Sequence, residues 1–129
     1  MSREILSPDE LADAPEFMYT QAIVEAGTLY MSGQVGWDDE FEVVGTDIVS
    51  QTQKAFENIG VVLEAVDKDF ADVNKVTSYV VDLAENTEGF REVWGQVFDA
   101  PYPAHTLLGV EQLAGEELLV EIEVQVPLE

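Results

Sequence analysis

Pro101 to Val126 reads PYPAHTLLGVEQLAGEELLVEIEVQV and holds the only histidine of the chain. From Leu118 onward its alternation is strict. Val120, Ile122, Val124 and Val126 point one way, and Glu121, Glu123 and Gln125 point the other. A strand with one wholly apolar face buries that face, so the other presents two carboxylates to water, a pocket or a neighbouring subunit. Ala104 to Val110 reads as a second short strand, and Glu111 to Glu117 as the loop that joins the two. If these strands pair, His105 falls near one of the acids, and that is where chemistry is expected first.

Working back from this end, Thr87 to Phe98 has helical spacing, with a stripe of Phe90, Val93, Trp94, Val97 and Phe98 that reads as core; Pro101 stops it. Asp72 to Leu83 alternates as a strand, with Lys75, Thr77, Tyr79 and Val81 on one side. The longest helical signal is Thr46 to Val66, where Ile48, Val49, Thr52, Ala55, Phe56, Ile59, Leu63 and Val66 recur at three- and four-residue steps. Thr46 or Asp47 caps its start. Trp37 to Val44 is an acidic connector. Tyr19 to Glu25 and Thr28 to Val35 are β-rich runs joined by Ala26-Gly27 as a hairpin, with Leu29, Met31 and Val35 on one face of the second run and Tyr30, Ser32 and Gln34 on the other. Gly33 inside that run marks a bulge or a close approach by backbone or ligand. The N-terminal segment holds a short strand at Glu4–Leu6. The order β-β-β-α-β-α-β-β predicts one α+β domain over residues 1–129, a six-stranded, mainly antiparallel or mixed sheet with two helices on one face. Two helices leave the other face wet, or buried by association.

The chain has 129 residues, 47% of them hydrophobic, and no cysteine, which excludes disulfides, thiolate nucleophiles and Cys-based metal sites. No apolar run approaches the roughly 20 residues of a membrane span, and the N-terminus lacks a signal-peptide pattern, so a soluble cytoplasmic protein is expected. Against 27 acids stand 5 basic residues, a net charge of −22. Self-repulsion of that size opposes compaction in dilute buffer, and about 1 M salt screens it by shortening the Debye length to about 3 Å. The acids are spread along a chain rich in apolar residues, which points to a salt-rich cytoplasm rather than to an acidic tail. The charge argues against nucleic acid as a partner, because phosphate contacts need basic residues that this chain lacks. One histidine among scattered carboxylates gives no metal-ligand spacing, and no cofactor is expected.

With these segments in place the chain resembles the YjgF/RidA family, also called L-PSP or reactive-intermediate deaminases, from about Met18 to Val126. The landmarks are Tyr19-Thr20-Gln21-Ala22, Ser32-Gly33-Gln34, Gln51-Thr52, Phe56-Glu57-Asn58-Ile59, Val73–Tyr79, Phe98, Pro103-Ala104 and Val120-Glu121-Ile122-Glu123. Taken singly they are unspecific; their ordered spacing is what carries the likeness. The resemblance implies a chorismate-mutase-like fold and a homotrimer with small-molecule clefts between subunits. It also implies hydrolysis of a 2-imino acid to a 2-oxo acid and ammonia. An arginine after Pro-Ala would grip the substrate carboxylate, and an acid in the last strand would position or activate water.

Carried over residue by residue, Glu121 stands at the catalytic acid, Tyr19 at a tyrosine and Ser32 at a serine of the cleft. His105 stands in place of the arginine. Arg91 replaces an asparagine of the second helix, His105-Thr106-Leu107 replaces an Arg-Ser-Cys-like run, and Ala114 replaces a proline. Surrounded by acids, His105 is expected to have its pKa pushed upward, which would let it hold a carboxylate as a cation, though with one donor rather than a fork. The other reading is that it bonds locally and the grip is lost. Arg91 either supplies the missing cation or pairs on the surface with Glu88 or Glu92. Glu121 is open between catalysis and structure, Glu123 reads as solvated or paired, and Trp37 borders the cleft or a subunit contact. Three functions follow: imine deamination, non-catalytic binding of a small metabolite or partner in the same cleft, and, last because of the charge, RNA cleavage or translation inhibition.

Overall fold

The computed structural model describes residues 3–129; Met1 and Ser2, which the sequence reading includes in the domain, lie outside it. The strands are β1 (Glu4–Leu6), β2 (Ala22–Glu25), β3 (Thr28–Met31), β4 (Gln34–Val35), β5 (Lys75–Val81), β6 (Ala104–Val110) and β7 (Val120–Pro127), and the helices are α1 (Ile48–Ala65) and α2 (Leu83–Val97). They form one sheet in the order β1-β2-β3-β7-β5-β6, with β4 paired to β7 beside β3. Only β5 and β6 run parallel, with α2 as their crossover; the other pairs are antiparallel.

Both helices lie on one face. Val76, Ser78 and Val80 of β5 and Val120, Ile122, Val124 and Val126 of β7 are buried beneath them, with Leu29 of β3. Ala55, Phe56, Ile59, Val62 and Leu63 of α1 and Phe90 and Val93 of α2 close the core from above. Each fully buried aliphatic or aromatic side chain contributes about 1.5–3 kcal/mol of transfer free energy, which makes this stripe the main driving force for folding. Asp47 caps α1 by accepting from the Ser50 backbone N–H at 2.9 Å.

Several boundaries differ from the sequence reading: β2 starts only at Ala22, which leaves Tyr19 in the preceding loop, and two others bear on the helices. The helix α2 begins at Leu83, a turn before Thr87, because Asp82 adopts a left-handed conformation (φ 51°) that turns β5 directly into helix. There Asn86 Nδ2 donates to the Val81 carbonyl and Thr87 Oγ1 to that of Leu83. At the other end, Phe70–Asp72 is a one-turn 3-10 helix with a capping box on Asp69, so β5 starts only at Lys75.

The run Thr28–Val35 is two strands, which raises the count to seven. Ser32 and Gly33 break the ladder and shift its phase. Leu29 pairs with Val126 on the helix face, whereas Val35 pairs with Glu121 on the opposite one. Gln34 therefore turns inward instead of sharing a face with Tyr30. It is 3% exposed, and its Nε2 donates to Gln21 Oε1 at 2.9 Å and to the Ser32 carbonyl at 3.2 Å.

Candidate functional site

The expected pairing of β6 with β7 does not occur, because β5 lies between them. The register then decides which side chains meet. Tyr79 stands opposite Glu121 and Thr77 opposite Glu123, all on the face away from the helices. His105 stands opposite Val76, whose side chain is in the core, so His105 is on the helix face. Within one chain, His105 and Glu121 are on opposite sides of the sheet.

On the open face the structure brings Tyr19, Ser32 and Glu121 to one neighbourhood. Ser32 Oγ donates to the Thr20 carbonyl and the Ser32 N–H to the Gln21 carbonyl at 2.9 Å, stitching the segment after Tyr19 to the turn before β4. Gln21 Nε2 in turn donates to the Ala12 carbonyl at 3.0 Å. The Glu121 carboxylate lies across Gly33, so close that a Cβ there would stand 2.1 Å from Oε2. Any side chain at this point would push the carboxylate out of its seat. Burial, and then the like charge of Glu123, push the Glu121 pKa above its ordinary value. Burial, and then the Glu121 charge, hold the Tyr19 phenol protonated to higher pH. Glu123 is paired, accepting from the Tyr79 hydroxyl at 2.7 Å.

On the helix side His105 is packed in place. Its ring stacks on Trp94 (centroids 4.0 Å apart, planes at 22°) and lies 5.9 Å from Phe90, while Nε2 shares a 3.0 Å hydrogen bond with the buried Ser78 hydroxyl. Its pKa is lowered, first by burial and then by Lys75 and Arg91. The expected upward shift is thus reversed, because burial disfavours the charged ring and the charges that act on it are those of Arg91 and, across the sheet, Lys75 rather than those of the β7 acids. Arg91 forms no ion pair with Glu88 or Glu92; among the described residues the one ion pair is Lys54–Glu57 at 3.0 Å. Arg91 instead lines a cavity of about 400 Å³ with Trp94, Gly95, Tyr102, His105 and Leu107. Trp94, expected in the core, is half-buried and forms part of that wall. Tyr102 and Gly95 went unread in the sequence, and the helical spacing of Gly95 from Arg91 is the signal that would have found it. Trp37 packs edge-to-face on Phe41, with ring centroids 5.1 Å apart.

A third element anchors the approach to Glu121. Gln51 of α1 is fully buried; its Nε2 donates to the Glu117 carbonyl at 2.9 Å and its Oε1 accepts from Leu119 N–H at 2.7 Å. This ties the helix to the chain two residues before Glu121.

A two-helix layer on a mixed sheet, with an acid seated on a glycine turn, defines the class: the chain belongs to the family described as Endoribonuclease L-PSP, which it matches over residues 10–127. Among individual relatives it is similar to the 2-iminobutanoate/2-iminopropanoate deaminase of Dermatophagoides farinae, 32% identical over 130 residues and 100% of both chains. The human protein of the same name is 32% identical over 114 residues, 85% of this chain and 82% of that one. A solved structure of a protein YjgH superposes with a TM-score of 0.90 at 30% identity, covering 99% of this chain and 98% of that one. Among the described residues, no helix is long and apolar enough to cross a membrane.

Proposed function

We propose that this protein hydrolyses a reactive enamine or imine metabolite, a 2-imino acid or a close relative, in a cleft between copies of a homotrimer in a salt-rich cytoplasm. The observation that carries the reading is the seat of Glu121: a half-buried carboxylate with a raised pKa, laid on Gly33 and facing away from the helices. A carboxylate whose pKa is moved toward neutrality is suited to take a proton and return it. Glu121 accepts a proton from water as the water oxygen bonds to C2 of the protonated imine. Glu121 returns that proton to the carbinolamine nitrogen; the hydroxyl oxygen then forms C=O as the C–N bond breaks, and the hydroxyl proton passes through Glu121 to the departing ammonia. The sum is one iminium and one water giving one 2-oxo acid and one ammonium. Tyr19, its phenol protonated, donates to the substrate beside Glu121, and Ser32 holds the turn that shapes that wall.

The substrate carboxylate is gripped by Arg91, whose guanidinium is always charged, with His105 as a neutral wall that replaces the arginine implied by the resemblance. Because His105 and Arg91 lie on the helix side and Glu121 on the other, a cleft that uses all three draws them from two copies of the chain. A second reading, a binding module without turnover, is favoured by the same imidazole: a ring stacked on Trp94 and bonded to Ser78 has no free role in gripping a ligand. RNA cleavage is disfavoured by a charge of −22.

The test is subunit complementation. Glu121→Gln and Arg91→Gln, each alone, abolish or sharply reduce ammonia release from enzymatically generated 2-iminobutanoate in molar KCl. Refolded together in equal amounts, they regain about a quarter of wild-type activity if each cleft takes its acid from one copy and its cation from another. A mixture no better than the mean of its parents rejects the shared cleft, and a wild type that releases no ammonia from any imine rejects the enzyme in favour of the binder.

A further inference from the structure

Of the surface cavities, the one lined by Arg91, Trp94, Gly95, Tyr102, His105 and Leu107 is set apart by charge. Four others each carry at least one carboxylate. In a chain with 27 acids this wall has none, and it has one of the two arginines. An anion is therefore least repelled here, and Arg91 is exposed with its charge unpaired among the described residues. Opposite the charge the wall is aromatic and apolar. Trp94 stacks on His105, Leu107 is half-buried beside them, and Tyr102 is 60% exposed, with its ring offered to whatever enters.

Gly95 supplies an independent observation. A glycine inside a helix costs roughly 0.5–1 kcal/mol relative to alanine. At Gly89 of the same helix the reason is plain, since a Cβ would stand 2.5 Å from Ile48 Cγ2. At Gly95 a Cβ would meet nothing within 4 Å, and its φ lies outside the left-handed region. Neither packing within the chain nor backbone geometry calls for glycine there. It sits four residues from Arg91, on the same side of α2, and it opens the floor of the cavity between the guanidinium and the rings.

We propose that this cavity takes the side chain of an aromatic or similarly flat, apolar 2-oxo or 2-imino acid, laid over Gly95 against Trp94 and Tyr102, with its carboxylate on Arg91. The volume of about 400 Å³ is within the range of small-molecule sites and exceeds what a four-carbon acid fills. A ring gains offset or edge contacts with Trp94 and Tyr102 that a short aliphatic chain cannot make. The imino-acid part of the proposal rests on the deaminase reading; the choice of an aromatic carboxylate rests on the cavity alone.

The experiment keeps the two separable. Isothermal titration calorimetry in molar KCl compares phenylpyruvate with 2-oxobutanoate on the wild type, Gly95→Leu and Arg91→Gln, and ammonia release is followed from the corresponding imines. The wild type is expected to bind phenylpyruvate about tenfold more tightly. Gly95→Leu removes that preference, and Arg91→Gln weakens both ligands about tenfold or more. Equal affinity, a preference for 2-oxobutanoate, or a Gly95→Leu protein that still prefers phenylpyruvate overturns the proposal. So does a Gly95→Leu protein with an altered assembly mass, since Gly95 would then be packed against the neighbouring subunit instead of opening the cleft to a ligand. Arg91 is exposed, so its variant reports even if Gly95→Leu fails to fold. A phenylpyruvate preference without ammonia release sinks the deaminase reading and leaves the ligand class standing; release from 2-iminobutanoate without an aromatic preference does the reverse.

Discussion

Adding one methyl group to Gly33 tests how Glu121 is seated. In Gly33→Ala the new Cβ would stand 2.1 Å from Glu121 Oε2, 2.8 Å from Cδ and 2.9 Å from Cγ. To reach ordinary van der Waals separation the carboxylate must retreat by more than about 1 Å. A reacting group displaced by that much loses about 100-fold in rate, or about 2.7 kcal/mol in barrier height. Stability should hardly follow. The φ of Gly33 lies outside the left-handed region, so alanine accepts the backbone, and its smaller unfolded-state entropy offsets the moved side chain to within about 1 kcal/mol. The assays are ammonia release from an imine, the thermal midpoint, and the titration of the Glu121 carboxyl by carbon-detected NMR. That pKa should fall toward the ordinary carboxylate value as the group leaves its buried seat. A variant with both the wild-type rate and the wild-type Glu121 titration would refute the idea that Gly33 is present to seat the acid.

Four further outcomes follow from the same geometry. Because folding raises the Glu121 pKa, its contribution to stability is fully present below the unfolded value of 4.5 and is lost as pH rises through the folded value. Glu121→Gln should therefore raise the calorimetric midpoint at pH 7, by the equivalent of about 1 kcal/mol, and not at pH 3. His105 has the opposite sign: with its pKa lowered, the stability it confers is present above 6.5 and lost as pH falls toward the folded value, and a proton NMR midpoint above 6.5 would contradict its packing. Gln51→Leu strands the Leu119 N–H and the Glu117 carbonyl in a buried place and should cost about 3 kcal/mol in denaturant unfolding, where a loss below about 1 kcal/mol would mean that the clamp is idle. With a charge of −22, raising KCl from about 0.1 M to about 1 M should raise the unfolding midpoint as the Debye length shortens from about 10 Å to about 3 Å, and a midpoint insensitive to KCl would remove the argument for a salt-rich setting.

The sequence displayed the faces of its elements better than their neighbours. The alternation in β7 put Val120 to Val126 in the core and Glu121 and Glu123 outside it, and the three- and four-residue recurrence in α1, with Asp47 before it, marked that helix to within two residues. Periodicity reports which way a side chain points, and burial of the apolar face makes that reading robust. Periodicity does not report which strand lies alongside. The placement of β5 between β6 and β7 follows from the crossover through α2, a long-range choice that no residue of β6 encodes by itself. The phase shift at Ser32–Gly33 was equally hidden. Gly33 signalled a close approach, but only the pairing of Val35 with Glu121 reveals that the approaching group is the carboxylate and that Gln34 is thereby sent inward.

That hidden sheet order changes the electrostatic meaning of the candidate site. Had β6 paired with β7, His105 would have sat among acids with its charge favoured, and imidazolium would have been the natural substitute for a guanidinium. With β5 between them, burial first and then the charges of Lys75 and Arg91 act on His105, and its own charge is disfavoured. Arg91 is then the cation of the helix side, while on the open face Glu121 and Glu123 outnumber Lys75, whose ammonium donates to Thr106 Oγ1. On the proposed reading, the substrate carboxylate is attracted at one surface and the attacking water is activated at the other. On that reading one chain separates the two tasks by the thickness of its own sheet, and the proposed second copy, presenting its open face to the Arg91 edge of the first, is what brings a held carboxylate within reach of a proton-accepting one. The charge pattern and the uncovered sheet face thus make the same demand, and it is this agreement that gives the proposed shared cleft its physical basis.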